Sequence, residues 1–126
     1  MLSSVRLLKG SRSFSASDYQ ALQQWLADFA AWLQVSEQGK EERAAKNNHA
    51  TVYDSQLISY LLFAGNEAAA KAVIRDFPEK RIFAQIEPDG KQPNELWRTL
   101  ACHYSAYNLS HMIDVCATAK SLGIDL

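Results

Sequence analysis

Charge of one sign is not in excess in this sequence: 13 basic residues stand against 14 acidic ones, for a formal net charge of −1. Such a balance gives no field to hold nucleic acid or an anionic membrane. The basic residues are also dispersed, with Lys40, Arg43 and Lys46 alternating with acids and Lys80-Arg81 standing almost alone. No apolar run approaches the ~20 residues that a bilayer-spanning helix requires, so no membrane partner is expected. Cysteine is scarce, Cys102 and Cys116 only, and neither belongs to a C-x-x-C pair. That excludes a zinc-finger pattern, and the apolar helical surroundings of both cysteines read as those of buried free thiols. Alternation of apolar and polar residues is missing too, apart from a weak strand candidate at residues 81–86. No repeat of fixed period is visible, which excludes tetratricopeptide and ankyrin arrays. Residues 1–8 carry Arg6 but neither an apolar h-region nor a small-residue cleavage site, so no export signal is legible there.

What is present is an ordinary globular composition, 48% hydrophobic and 21% charged. A chain of 126 residues reads as a single domain, and at this size it buries roughly two thirds of its unfolded surface. Helical periodicity dominates. Residues 18–35 place Tyr19, Leu22, Trp25, Leu26, Phe29 and Leu33 on one stripe. Ser17 is the expected cap, and Trp25 the expected core residue. Polar residues 36–46, with Gly39 among them, read as a loop. A second helix is expected from about Asn48 to Ala64, stopped by Gly65, and a third from Glu67 to Phe77 between Asn66 and Pro78. Pro88-Asp89-Gly90 is turn chemistry. Pro93 suits a first helical position with Gln92 as cap and Glu95 three residues on. A break is expected near Tyr107 or Asn108, then a last helix over 109–122 closed by Gly123. The fold class is therefore all-α, five or six helices in antiparallel hairpins.

Three segments carry the chemistry. They are Lys46-Asn47-Asn48-His49-Ala50-Thr51-Val52-Tyr53-Asp54, then Gln85-Ile86-Glu87-Pro88-Asp89-Gly90-Lys91-Gln92-Pro93, then Arg98 with His103-Tyr104-Ser105-Ala106-Tyr107-Asn108. In this order and spacing the set resembles the alginate lyase superfamily of polysaccharide lyases. That family has an Asn-Asn-His segment opening a helix, an Ile-Glu-Pro-Asp-Gly turn, and a downstream Arg followed by a Tyr-rich stretch. The resemblance runs from about Leu7 to Leu126. Ala50 stands where the family usually has Gly, and Val52 where it often has Trp, which removes a possible sugar-stacking surface.

The resemblance implies part of an incomplete (α/α) toroid, with this chain supplying the later hairpins of a longer barrel, as a truncated or split form would. It also implies a periplasmic or secreted setting and an acidic polysaccharide, alginate or another polyuronate, as the partner. Self-association through the exposed face of a partial toroid is expected as well. Residue by residue, Asn48 and His49 match the family's carboxylate-neutralising and catalytic pair, Arg98 its neutralising arginine, and Tyr104 its catalytic tyrosine, with Tyr107 the alternative if the register differs. Asn47, Tyr53, Trp97 and Tyr107 are expected to bind substrate.

The chemistry asks for such a set. β-Elimination removes the C5 proton beside a uronate carboxylate and expels the glycosidic oxygen at C4. The proton becomes acidic only when the carboxylate charge is offset, which calls for hydrogen-bond donors and positive charge. A base and an acid complete the requirement. Asn48 and His49 at a helix N-terminus lie where free N–H groups favour an anion, and Arg98 adds a cation. Neutralisation by Asn, His and Arg leaves no need for a metal or another cofactor.

Plainer readings exist for each residue taken singly. Asn47 or Asn48 serves as a helix cap, His49, His103 and His111 as structural histidines, Tyr104 and Tyr107 as packing aromatics one turn apart, and Glu87 and Asp89 as parts of a turn. Two other functions stay open beside the lyase: a uronate-binding remnant with weak catalysis, and a helical interaction domain. Unsaturated product distinguishes the first from the rest.

Overall fold

The computed structural model describes residues 2–126, with Leu2, Ser3 and Arg6 described by backbone alone. All regular structure among the described residues is helical. Helix α1 spans Leu2–Leu7, α2 Ala16–Val35, α3 Glu37–Ala44, α4 Asn48–Phe63 and α5 Glu67–Phe77. A π-helical turn, Pro78–Ile82, leads into α6, Phe83–Gln85, followed by α7, Pro93–Leu96, and α8, Ala101–Ser121.

Helix α4 is the hub and packs against α2, α3, α5 and α8. Tyr53, Leu57, Ile58 and Leu61 of α4 meet Ala70, Ile74 and Phe77 of α5 and Met112, Val115 and Ala119 of α8. Ile74 and Phe77 are wholly buried. The α4–α5 hairpin is closed by Gly65 at φ 85°, a left-handed conformation that suits glycine. Asn66 then caps α5 by accepting from the Ala69 N–H at 3.2 Å.

Sequence and structure part in several places, each with a physical cause. The cap of α2 is Ser15 rather than Ser17: its hydroxyl accepts from the Asp18 N–H while the Asp18 carboxylate accepts from the Ser15 N–H, a capping box. Trp25 is 58% exposed. It sits about 100° around the helix from Leu26, and Leu26 and Ala30 take the buried face. Trp25, Phe29 and Trp32 instead form a stacked ladder, with ring centroids 5.3 and 5.6 Å apart.

The expected loop at residues 36–46 contains α3. Ser36 caps it by accepting from the Gly39 N–H at 3.1 Å, Glu37 lies in its first turn and Arg43 in its last. Such ends suit the helix dipole. The strand candidate at residues 81–86 is π-helical and α-helical through Gln85 instead, with Ile86 alone extended. Pro78 needs no N–H where it begins a new turn, and Arg81 is drawn inward to Asp54, Nε to Oδ2 at 2.6 Å.

Helix α8 runs unbroken through Tyr107 and Asn108. Asn108 is fully buried, and its amide donates to Gln85 Oε1 and Gln92 Oε1, both at 2.9 Å, so it does not compete for helix backbone groups. Gln85 Oε1 also accepts from the Thr51 hydroxyl at 3.2 Å. These polar groups bind α4, the end of α6 and the entry to α7 onto α8. Gln92 is thereby engaged in the interior and makes no side-chain cap for α7. Both cysteines are free, but Cys102 is exposed and Cys116 half-buried rather than interior.

Candidate functional site

The N-terminus of α4 is the organising feature. Asn47 caps it, its Oδ1 accepting from the His49 N–H at 3.2 Å. Contrary to the expectation from sequence, the end of the helix is not left free for an outside anion. Glu95 from α7 occupies it: one carboxylate oxygen accepts from the Asn48 backbone N–H, and the other accepts from Asn48 Nδ2 at 2.7 Å. Glu95 is 1% exposed and Asn48 4%. Beside them Asn94 donates from Nδ2 to the Lys46 carbonyl at 2.8 Å. Helix α7, short as it is, is thus clasped across the start of α4. The expected capping-box role of Glu95 gives way to this longer-range bond.

Arg98 follows α7. Its Nη1 lies 3.9 Å from Glu95 Oε2, and its guanidinium carbon stands 3.8 Å from the centre of the Tyr104 ring, a cation–π distance. Tyr104 therefore lies under Arg98. Tyr107, one turn along α8, takes a different position. It forms one wall of a cavity of about 410 Å³ together with Asn48, His49, Val52, Tyr53, Gln56, Leu33 and Glu42. Of the expected residues, the structure brings Asn48, His49, Tyr53 and Tyr107 to one cavity. Arg98 and Tyr104 form a neighbouring pair joined to it through Glu95. Trp97 is 90% exposed and lies outside the cavity.

Within the cavity, Tyr53 is a wall rather than a donor, because its hydroxyl is given to the Leu33 carbonyl at 3.1 Å. Burial pushes its phenol above the ordinary 10.0, and the Arg43 cation opposes that rise. Tyr107 is edge-on to His111, with ring centroids 4.7 Å apart, and stacks at 6.3 Å on His103. His49 directs Nδ1 at Glu42 Oε2, 2.8 Å away. Glu42 was hidden from sequence reasoning inside the supposed loop; the one available signal was its place seven residues before a histidine in an otherwise helix-compatible run. Gln56, which also lines the cavity, stands in no motif that would mark it.

A larger groove of about 640 Å³ lies between α4 and α8, lined among others by Ser55, Ser59, His111, Asp114 and Thr118. None of Asn48, His49, Arg98, Tyr104 and Tyr107 lines it, so the motif residues do not meet there. Among the described residues no group of three or more His, Cys, Asp or Glu side chains is arranged to hold a metal ion.

The family model for alginate lyase matches residues 1–126. This chain belongs to the alginate lyase family. Its structure is similar to the crystal structure of an alginate lyase from Bacteroides ovatus, with 47% sequence identity and a TM-score of 0.92. The match covers 94% of this chain and 31% of that one, so the chain spans about a third of the length of this alginate lyase. No curated protein matches it. The all-helical hairpin architecture agrees with a portion of an alginate lyase helical toroid.

Proposed function

We propose that this chain carries proton-transfer and carboxylate-binding groups of a polysaccharide lyase that cleaves alginate or a related polyuronate by β-elimination. The observation that supports the reading most directly is the cavity shared by Asn48, His49 and Tyr107, in a chain of the alginate lyase family. In the proposed reaction His49 or Tyr107 takes the C5 proton. The electron pair forms the C4–C5 double bond, and the C4–oxygen bond breaks. Tyr107 gives a proton to the departing oxygen. Tyr107 is preferred to Tyr104 because it lines the cavity of Asn48 and His49, which Tyr104 does not.

Asn48 supplies a donor to the uronate carboxylate. Its Nδ2 carries a second N–H beyond the one given to Glu95, and Glu95 fixes where that second bond points. Arg98 supplies the cation, with part of its charge offset by Glu95. Charge facing the carboxylate lowers the cost of the carbanion-like transition state.

The test is absorbance of the conjugated unsaturated product during incubation with polymannuronate, polyguluronate and a glucuronan. Product from one of the polymers, lost in Tyr107→Phe and retained in Tyr104→Phe, is the expected result. No product on all three from a folded chain would overturn the reading for this chain. Product lost in Tyr104→Phe alone would transfer the acid–base role to that residue.

A further inference from the structure

We infer that Glu42 is a positioning residue for His49: its carboxylate fixes the imidazole as the Nδ1–H tautomer and leaves Nε2 as the proton acceptor in the cavity. A neutral imidazole has one nitrogen that donates and one that accepts. Carboxylate oxygen only accepts, and Glu42 Oε2 lies 2.8 Å from Nδ1. The proton therefore belongs on Nδ1. A histidine side chain free in water prefers the other tautomer, with hydrogen on Nε2. Without Glu42, Nε2 would more often carry the hydrogen and would be useless as a base.

The position of Glu42 is built, because α3 is anchored at its start. Ser36 caps it, and Gly39 passes so close to α2 that a Cβ there would fall 1.8 Å from the Leu33 carbonyl oxygen. Glu42 sits one turn further on, and the ring it holds belongs to the first turn of α4, where Asn47 fixes the His49 backbone. Glu42 and His49 line the same cavity as Tyr107. Orientation of a basic histidine by a hydrogen-bonded carboxylate is a recurrent arrangement, in which the partner sets tautomer and ring direction. Both side chains are about half exposed, so the pair contributes little to stability. Its geometry answers to chemistry instead.

The catalytic consequence rests on the elimination reading above, whereas the tautomer does not. Long-range proton–nitrogen correlation spectra of the ¹⁵N-labelled chain, with His49→Gln to assign the ring, read the tautomer directly. In the wild type at a pH where the ring is neutral, His49 is expected to carry its proton on Nδ1. Glu42→Ala should move the population toward Nε2–H, and Glu42→Gln, whose amide oxygen still accepts, should retain Nδ1–H. A wild-type ring protonated on Nε2, or one unchanged in Glu42→Ala, overturns the inference. In the elimination assay Glu42→Ala should lower kcat about 10–100-fold with little change in KM, in line with the loss of other partners that orient a histidine, and Glu42→Gln should recover most of it. An active wild type whose kcat is untouched by Glu42→Ala removes the catalytic role of Glu42. An inactive wild type removes the proposed function and leaves the tautomer to be decided by the spectra.

Discussion

Asn48 places two hydrogen bonds on a carboxylate almost wholly withdrawn from water. Removing that carboxylate leaves a backbone N–H and a side-chain N–H unpaired in the interior, and such orphaned donors cost more than the bond itself contributes. Glu95→Ala is therefore expected to destabilise the fold by roughly 2–4 kcal/mol, measured by urea unfolding. Glu95→Gln should fall in between, because its amide still offers one acceptor oxygen but sets a donor against Asn48 Nδ2. Arg98 should loosen with either change, since Glu95 is its nearest anion. On the chemical side, Tyr107→Phe keeps the ring against His111 and His103 and removes only the hydroxyl. Its rate of unsaturated product formation is expected to fall about 10²–10⁴-fold, the usual value of a positioned proton donor, with the circular dichroism spectrum unchanged.

At the scale of elements, legibility depended on whether a helix is held by an apolar stripe. Helix α5 has such a stripe, an Asn before it and a Pro after it, and its bounds came out as read, Glu67–Phe77. Helix α3 has none: its residues Glu-Gln-Gly-Lys-Glu-Glu-Arg-Ala are held by a cap, by end charges and by Gly39 against the Leu33 backbone. Patterning cannot register a helix that buries a glycine instead of a side chain. The same blindness hid Glu42, and Glu95 was out of reach for another reason, because its partner Asn48 lies 47 residues away. Asn48, His49 and Tyr107 were visible as types in an order. What the sequence withheld was which tyrosine faces the histidine, a matter of helix phase in α8 that its unbroken course decides.

Two substitutions test the joints between elements. Gly39→Ala must push α3 away from α2, since backbone is what its Cβ would strike. A loss of roughly 1–3 kcal/mol is expected, with the His49 ring losing its partner, both visible in thermal unfolding and the imidazole spectra. Asp54 and Arg81 form a buried ion pair between α4 and the π-helical turn. Asp54→Ala strands a buried cation, and a cost of about 3–5 kcal/mol is expected. Replacing both residues with apolar ones of similar volume should cost markedly less.

For the whole molecule, stability should decline at both ends of the pH scale. Asp18 is held below the ordinary 3.8 by the Ser15 hydroxyl and N–H, Asp76 by its bond to Lys80, and Asp89 by its bond to Lys91. Lowered folded values mean stability present above 3.8 and lost as pH falls below it through those values. Tyr53 and Tyr60 are raised by burial, so their contribution is complete below pH 10.0 and lost as pH climbs past it. Thermal midpoints recorded across the range should trace a plateau falling away on either side. Leu109 and Ile113 expose an apolar strip of α8 beside Ile82 and Ile86. Exposed strips of this kind favour association. Sedimentation velocity is expected to show concentration-dependent assembly that Ile113→Glu abolishes.

The stacked ladder on α2 and the bare indole of Trp97 have an optical consequence. All the tryptophans of this chain, Trp25, Trp32 and Trp97, are solvent-facing in the folded state. Their emission is therefore expected to lie toward that of indole in water, so unfolding should move its maximum little. The coupled rings of Trp25, Phe29 and Trp32 should instead give a dichroic band in the aromatic region that vanishes on unfolding. Trp97, next to Arg98, is exposed by itself, and quenching of its emission on adding an oligouronate would test the proposed role of that arginine.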